Sequence, residues 1–210
     1  MAKETLEQRK SRALNIIKYL KRKFPEAKIA LRYSSPVQLL VAVILSAQCT
    51  DKKVNEVTAG LFKKYKTAAD FSKAKPWKLE QEIKSTGFYR NKAKNIIASC
   101  QIIQEKFKGK VPNAMSEILT LPGVARKTAN VVLGNAYGVV EGIAVDTHMI
   151  RLNKKLGLTG HSDPKKIEQD LMKIIPQKDW FNYTYLIIEY GRQVCPARHK
   201  KCDCEVYKIR

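Results

Sequence analysis

The chain has 210 residues, with 40 Lys+Arg against 19 Asp+Glu and a formal net charge of +21 at pH 7. At 44% hydrophobic and 28% charged residues, it carries enough apolar side chains for a packed core, which excludes a disordered basic tail. Charge of this size predicts a polyanionic partner, because clustered Lys and Arg release counterions condensed on nucleic acid; a generally basic housekeeping protein is the other reading.

The opening segment, Met1 to Phe24, scatters charges along its length and has no apolar h-region, so it does not read as a secretory signal. Leu6, Leu14, Ile17, Leu20 and Phe24 make one helical stripe there. Ser35-Pro36 sets a cap and first turn. The segment Val37 to Ala47 is apolar nearly all round, as expected of a helix at the centre of a core. It falls short of the roughly 20 residues that span a bilayer. Val54, Val57, Leu61, Phe62 and Tyr65 continue at helical spacing, as do Ala93, Ile96, Ile97, Cys100, Ile103 and Phe107 after Gly87. Further stripes run through Ala129, Val132, Leu133 and Ala136, and through Ile167, Leu171, Ile174 and Ile175, the last behind the capping pair Asp163-Pro164. No segment alternates with period two. An all-α fold is expected, with a glycine-bounded break at Gly138–Gly142 where the chain passes from one helical lobe to another.

The five cysteines are Cys49, Cys100, Cys195, Cys202 and Cys204. An odd count with three crowded at the C-terminal end argues against a disulfide framework. The expectation is a soluble, intracellular, monomeric protein, cytoplasmic or associated with the nucleoid, with no membrane segment.

Chemistry concentrates in Leu121-Pro122-Gly123-Val124-Ala125-Arg126-Lys127-Thr128-Ala129-Asn130. A short helix ends here, Pro-Gly turns the chain, and a second helix begins at about Ala125. Backbone N–H groups at such a start lack intrahelical partners and, with the helix dipole, suit a phosphate while reading no base. The pattern matches a helix-hairpin-helix. Lys127, in the first turn, is a cation where the dipole favours anions; by position it is either a surface lysine or a nucleophile, whose reactive form is the neutral amine. Nineteen residues later Asp146 follows the apolar trio Ile143-Ala144-Val145. It is read as the N-cap of another helix, a role that would also orient a functional carboxylate. His148 reads as structural in preference to catalytic. The segments Ser85-Thr86-Gly87-Phe88-Tyr89 and Thr120-Leu121-Pro122-Gly123-Val124 echo each other, each placing a glycine turn before a helix with basic residues.

Together these residues resemble the endonuclease III family, DNA glycosylases of the helix-hairpin-helix superfamily. LPGVARKTANVVLGNAYG and IAVDTHMIRL carry the match, supported by LLVAVILSAQCTDKKVN, GFYRNKAKNI and GRQVCPARHKKC. The resemblance implies a six-helix barrel lobe with the hairpin (28–139), a second lobe from 1–27 and 140–210, and damaged double-stranded DNA bound across a cleft. It implies Lys127 as the Schiff-base lysine and Asp146 as the carboxylate offsetting charge on the sugar. DNA contacts are implied at Leu121, Pro122, Gly123, Val124, Ala125, Arg126 and His148. Gln48 and Phe88 match residues that hold the gap left by a flipped nucleotide, although Phe88 could instead be a core aromatic. The activity implied is a bifunctional DNA glycosylase/AP lyase of base excision repair acting on oxidised pyrimidines. A glycosylase for mismatches or other lesions, and a non-catalytic DNA-binding module, are the alternatives.

The family's C-terminal loop, C-x6-C-x2-C-x5-C, binds a [4Fe-4S] cluster. Here Cys195-x6-Cys202 fits, but the next cysteine, Cys204, comes one residue early, and the fourth position falls on Arg210. Such clusters need four thiolates. A degenerate loop without cofactor is expected; an intact [4Fe-4S] cluster, or zinc held by three cysteines and His199, are the other possibilities. Arg198, Lys200, Lys201, Lys208 and Arg210 still offer phosphate contacts or a solubilising surface.

Overall fold

The computed structural model describes residues 4–198 and 205–209. These residues form eleven α-helices and two short 3-10 turns, with no β-strand among them. The chain divides into two compact units, Ala30–Val139 and Met1–Ile29 with Val140–Arg210.

The Ala30–Val139 unit is built around α2 (Pro36–Leu45). Ser35 caps it through its hydroxyl, Pro36 supplies the preset first turn, and every residue from Val37 to Leu45 is buried. A helix apolar on all sides can be satisfied only at the centre, and α2 packs against α3 (Asp51–Lys64), α6 (Tyr89–Phe107) and α8 (Arg126–Tyr137). Two short helices that periodicity alone does not reveal, α4 (Ala68–Ser72) and α5 (Pro76–Ile83), cover α6 with Phe71, Leu79 and Ile83. Thr67 and Asp70 form a capping box on α4, and the Asp70 carboxyl is held below its usual value, first by the Thr67 backbone N–H. Helix α7 (Met115–Ile118) leads into α8.

The other unit contains α1 (Leu6–Lys23), α9 (Thr147–Lys155), α10 (Pro164–Ile174) and α11 (Gln177–Gln193). The buried face of α1 is Ala13, Ile16, Ile17 and Leu20, with Phe24 buried just beyond it. Ile17, Leu20 and Phe24 of the stripe read in the sequence are buried, while Leu6 and Leu14 are exposed and Ala13 and Ile16 take the buried places. That face packs with Met149 and Leu152, Ile167 and Leu171, and Tyr183, Leu186 and Ile187. Arg12 of α1 reaches the Leu156 and Gly157 carbonyls beyond the C-terminal end of α9, at 2.5 and 3.3 Å, where a cation complements the helix dipole. No helix among the described residues is long and apolar enough to cross a membrane.

Candidate active site

The hairpin is a type II turn supported from below. The Val124 N–H donates to the Leu121 carbonyl at 3.1 Å, with Pro122 second in the turn and Gly123 third at φ +77°. Leu121 and Val124 are buried and anchor the flanks, while Gly123 and Ala125 are exposed. Two residues of α6 hold the turn. Ser99 Oγ donates to the Pro122 carbonyl at 2.7 Å, and a Cβ at Gly123 would lie only 2.8 Å from Asn95 Nδ2. Glycine is thus required twice, for its left-handed backbone and for space. Helix α8 starts at Arg126, one residue later than expected, and Ala125 before it supplies no capping side chain. A helix start without a side-chain cap leaves first-turn N–H groups whose direction, with the dipole, favours an anion. Lys127, the second residue of α8, is half-buried in this first turn.

Two further turns of the same unit use left-handed backbone at non-glycine residues. Gln48 (φ +53°), beyond the end of α2, is exposed. Phe88 (φ +48°) follows Gly87 (φ +71°) and directly precedes α6. At 64% exposure it is a surface side chain, which overturns its reading as a core aromatic.

Asp146 and His148 belong to the other unit. Asp146 caps α9, its Oδ1 accepting the Met149 N–H at 2.9 Å, so the carboxylate is half-buried in a set orientation. His148, in the first turn of α9, packs against Gly191 of α11, where any Cβ would collide with the imidazole.

Sequence reasoning missed Lys92, because lysine is almost never buried. It is only 4% exposed, and its ammonium donates to the carbonyls of Leu45 and Thr86, each at 2.8 Å. Burial pushes its pKa below the usual lysine value, against a small opposing influence of Cys49.

Of the five cysteines, Cys49, Cys100 and Cys195 lie among the described residues. Cys202, Cys204, and the zinc candidate His199 lie outside the described residues, as do Lys200, Lys201 and Arg210. Cys195 is buried, with Sγ 3.3 Å from Tyr207 Oη and 3.5 Å from Arg151 Nη1, and its carbonyl accepts from Arg151 at 2.6 Å. Cys100 is a core residue of α6 in the other unit, its thiol pushed up to about 12 by burial, which favours the protonated thiol over a thiolate ligand. Among the described residues, no group of three or more His, Cys, Asp or Glu is placed to hold a metal.

A short helix, a buttressed Pro-Gly turn and a second helix with an uncapped start define a helix-hairpin-helix protein. Residues 41–177 match the HhH-GPD superfamily of base excision DNA repair proteins. The chain is 54% identical over 199 residues to endonuclease III of Synechocystis sp., covering 94% of this chain and 91% of that one. It is 47% identical over 188 residues to endonuclease III of Bacillus subtilis, covering 89% and 85%. Its fold matches a solved structure of a trapped endonuclease III–DNA covalent intermediate with a TM-score of 0.90 at 42% identity, covering 95% and 94% of the two chains. The chain belongs to the endonuclease III family of the HhH-GPD superfamily, the DNA glycosylase/AP lyases of base excision repair.

Proposed function

We propose that the protein removes oxidised pyrimidines from duplex DNA and then cleaves the strand, with Lys127 as nucleophile and Asp146 as the stabilising carboxylate. The single observation that carries this reading is Lys127 itself, an amine in the first turn of the hairpin's second helix, where backbone N–H groups attract a phosphate. The duplex is held first by charge and by those N–H groups, with Leu121 to Arg126 forming the backbone clamp. A damaged nucleotide leaves the stack, and Gln48 and Phe88 fill the gap, an exposed aromatic being suited to offset a few kcal/mol of unstacking.

Chemistry then follows from two groups. Neutral Lys127 Nζ attacks C1′ and the glycosidic bond breaks, the base leaving with the bonding pair and collecting a proton. Positive charge grows on the sugar as this happens, and the Asp146 carboxylate, oriented by its bond to the Met149 N–H, offsets it. Loss of a proton from Lys127 and opening of the sugar ring give an imine. The imine acidifies C2′, a proton leaves there, and the 3′ phosphate departs by β-elimination. Water finally releases the lysine.

The protein is read as working without an iron–sulfur cluster, since three C-terminal cysteines cannot supply four thiolates. Iron and sulfide assay of natively purified protein tests that point, and four irons per chain would overturn it. Two lobes, 28–139 and 1–27 with 140–210, action as a monomer, and a place at the nucleoid complete the reading. Borohydride trapping on duplexes carrying thymine glycol or an abasic site tests the mechanism. A covalent adduct is expected that disappears in Lys127→Gln; folded, DNA-binding protein that gives neither adduct nor nicking would sink the proposal.

A further inference from the structure

The left-handed residues at Gln48 and Phe88 share one buried support. Three non-glycine residues among those described have positive φ, and these are two of them. Gln48 lies three residues beyond Leu45, the last residue of α2, and Phe88 lies two beyond Thr86, the last residue of the 3-10 turn Lys84–Thr86. The carbonyls of Leu45 and Thr86 are the two acceptors of the Lys92 ammonium. Leu45 is separated from Lys92 by 47 residues, so this contact is a true tertiary tie. The Leu45 carbonyl is also one of the last of α2, where a helix leaves acceptors unfilled and its dipole attracts a cation. Thr86 is itself buried, its hydroxyl donating back to the Ile83 carbonyl at 2.8 Å. A left-handed residue with a side chain persists only where its surroundings overdetermine it. Here the surroundings of both turns meet at a single nitrogen.

We infer that Lys92 is a positioning residue: its ammonium binds the end of α2 to the end of the 3-10 turn, and so sets Gln48 and Phe88 as a matched pair of gap-filling side chains. The inference rests on the role given above to Gln48 and Phe88. A side chain that must enter a base stack works only if its backbone is already placed, and two such side chains must also keep a fixed spacing. One ammonium with three donors holds both carbonyls at once. An apolar residue of similar length would fill the volume but leave the two acceptors without a donor, and the two turns would move independently.

The full-length protein with Lys92→Met tests this on two probes. On a thymine glycol duplex, where flipping is needed, base release should slow roughly 10- to 100-fold in kcat, the scale of loss expected when a supporting group shifts the reacting geometry. Trapping on a single-stranded abasic oligonucleotide, which needs no gap-filling, should keep its wild-type rate. Lys92→Arg, which retains charge and several donors, should recover most of the lost rate. Adding Lys92→Met to the Gln48→Ala/Phe88→Ala variant should cost nothing further, because residues acting as one unit are non-additive. Equal losses on both probes, no loss on the duplex, or full additivity would each overturn the inference. Should Lys92→Met not fold, Lys92→Gln carries the same test, since it keeps an N–H donor but lacks the reach to hold both carbonyls. Wild-type protein inactive on both probes would instead refute the assigned activity, an outcome separate from any Lys92 effect.

Discussion

The turns at Gly87 and Gly123 echo each other in sequence and differ in what they present. At Gly123 the apex is packed: Asn95 sits against the position a Cβ would take, Ser99 holds the Pro122 carbonyl, and the turn delivers backbone N–H groups at the start of α8. At Gly87 nothing lies within 4 Å of an added Cβ. That turn delivers a side chain, Phe88, held from beneath by Lys92, whose ammonium donates to the Thr86 carbonyl and whose backbone N–H donates to the Phe88 carbonyl at 3.1 Å. The difference suits the roles proposed for the two turns: a backbone surface for a phosphate gains from rigidity, whereas a side chain proposed to enter a gap gains from open space around it. Both turns draw support from α6. Lys92, Asn95 and Ser99 fall at helical spacing of three and four along it, which puts them on neighbouring parts of one face.

The largest expected contrast is between the two glycines. Gly123→Ala meets both a left-handed backbone and the Asn95 side chain, and should lower unfolding free energy by about 2–5 kcal/mol. Gly87→Ala meets the backbone cost alone, about 1–2 kcal/mol. Urea unfolding of the pair measures the difference, and equal losses would show that Asn95 yields without cost. Next in size, Ser99→Ala leaves the Pro122 carbonyl without its donor, a loss of about 1–3 kcal/mol accompanied by weaker duplex binding in a salt titration. The smallest effect should come from Phe88→Gly. Relief of the left-handed strain and the added freedom of glycine nearly cancel, so stability should stay within about 0.5 kcal/mol. Activity on a lesion duplex should nevertheless fall, separating the side chain's work from the fold's stability.

The parts of this fold legible in the sequence are those with local causes. Ser35-Pro36 and Asp163-Pro164 start helices because a hydroxyl or carboxylate and a preset φ act within one turn of chain. The Pro-Gly turn is legible for the same reason. Helix α11 is not, because its buried residues include Asp179, Tyr183, Thr184, Tyr185, Tyr190 and Gly191 along with Leu186 and Ile187, so an aliphatic count misses it. On α1 the later part of the stripe, Ile17, Leu20 and Phe24, is buried as read, but the earlier part is misplaced because Leu6 and Leu14 are apolar yet exposed and small Ala13 takes the buried place. Around the candidate site, the turn residues could be read but their supports could not. Lys92 answers to a carbonyl 47 residues away, and Asn95 matters only for the space it takes from Gly123.

The contact between Gly191 and His148 imposes an order on change. Helix α11 passes so near the first turn of α9 that any side chain at 191 collides with the imidazole. A lineage can enlarge residue 191 only after residue 148 has become smaller. In the reverse order the His148 imidazole, in the first turn of the helix that Asp146 caps, has to shift to make room. Two positions with no assigned part in bond breaking thus restrict which mutational routes leave the carboxylate where it stands.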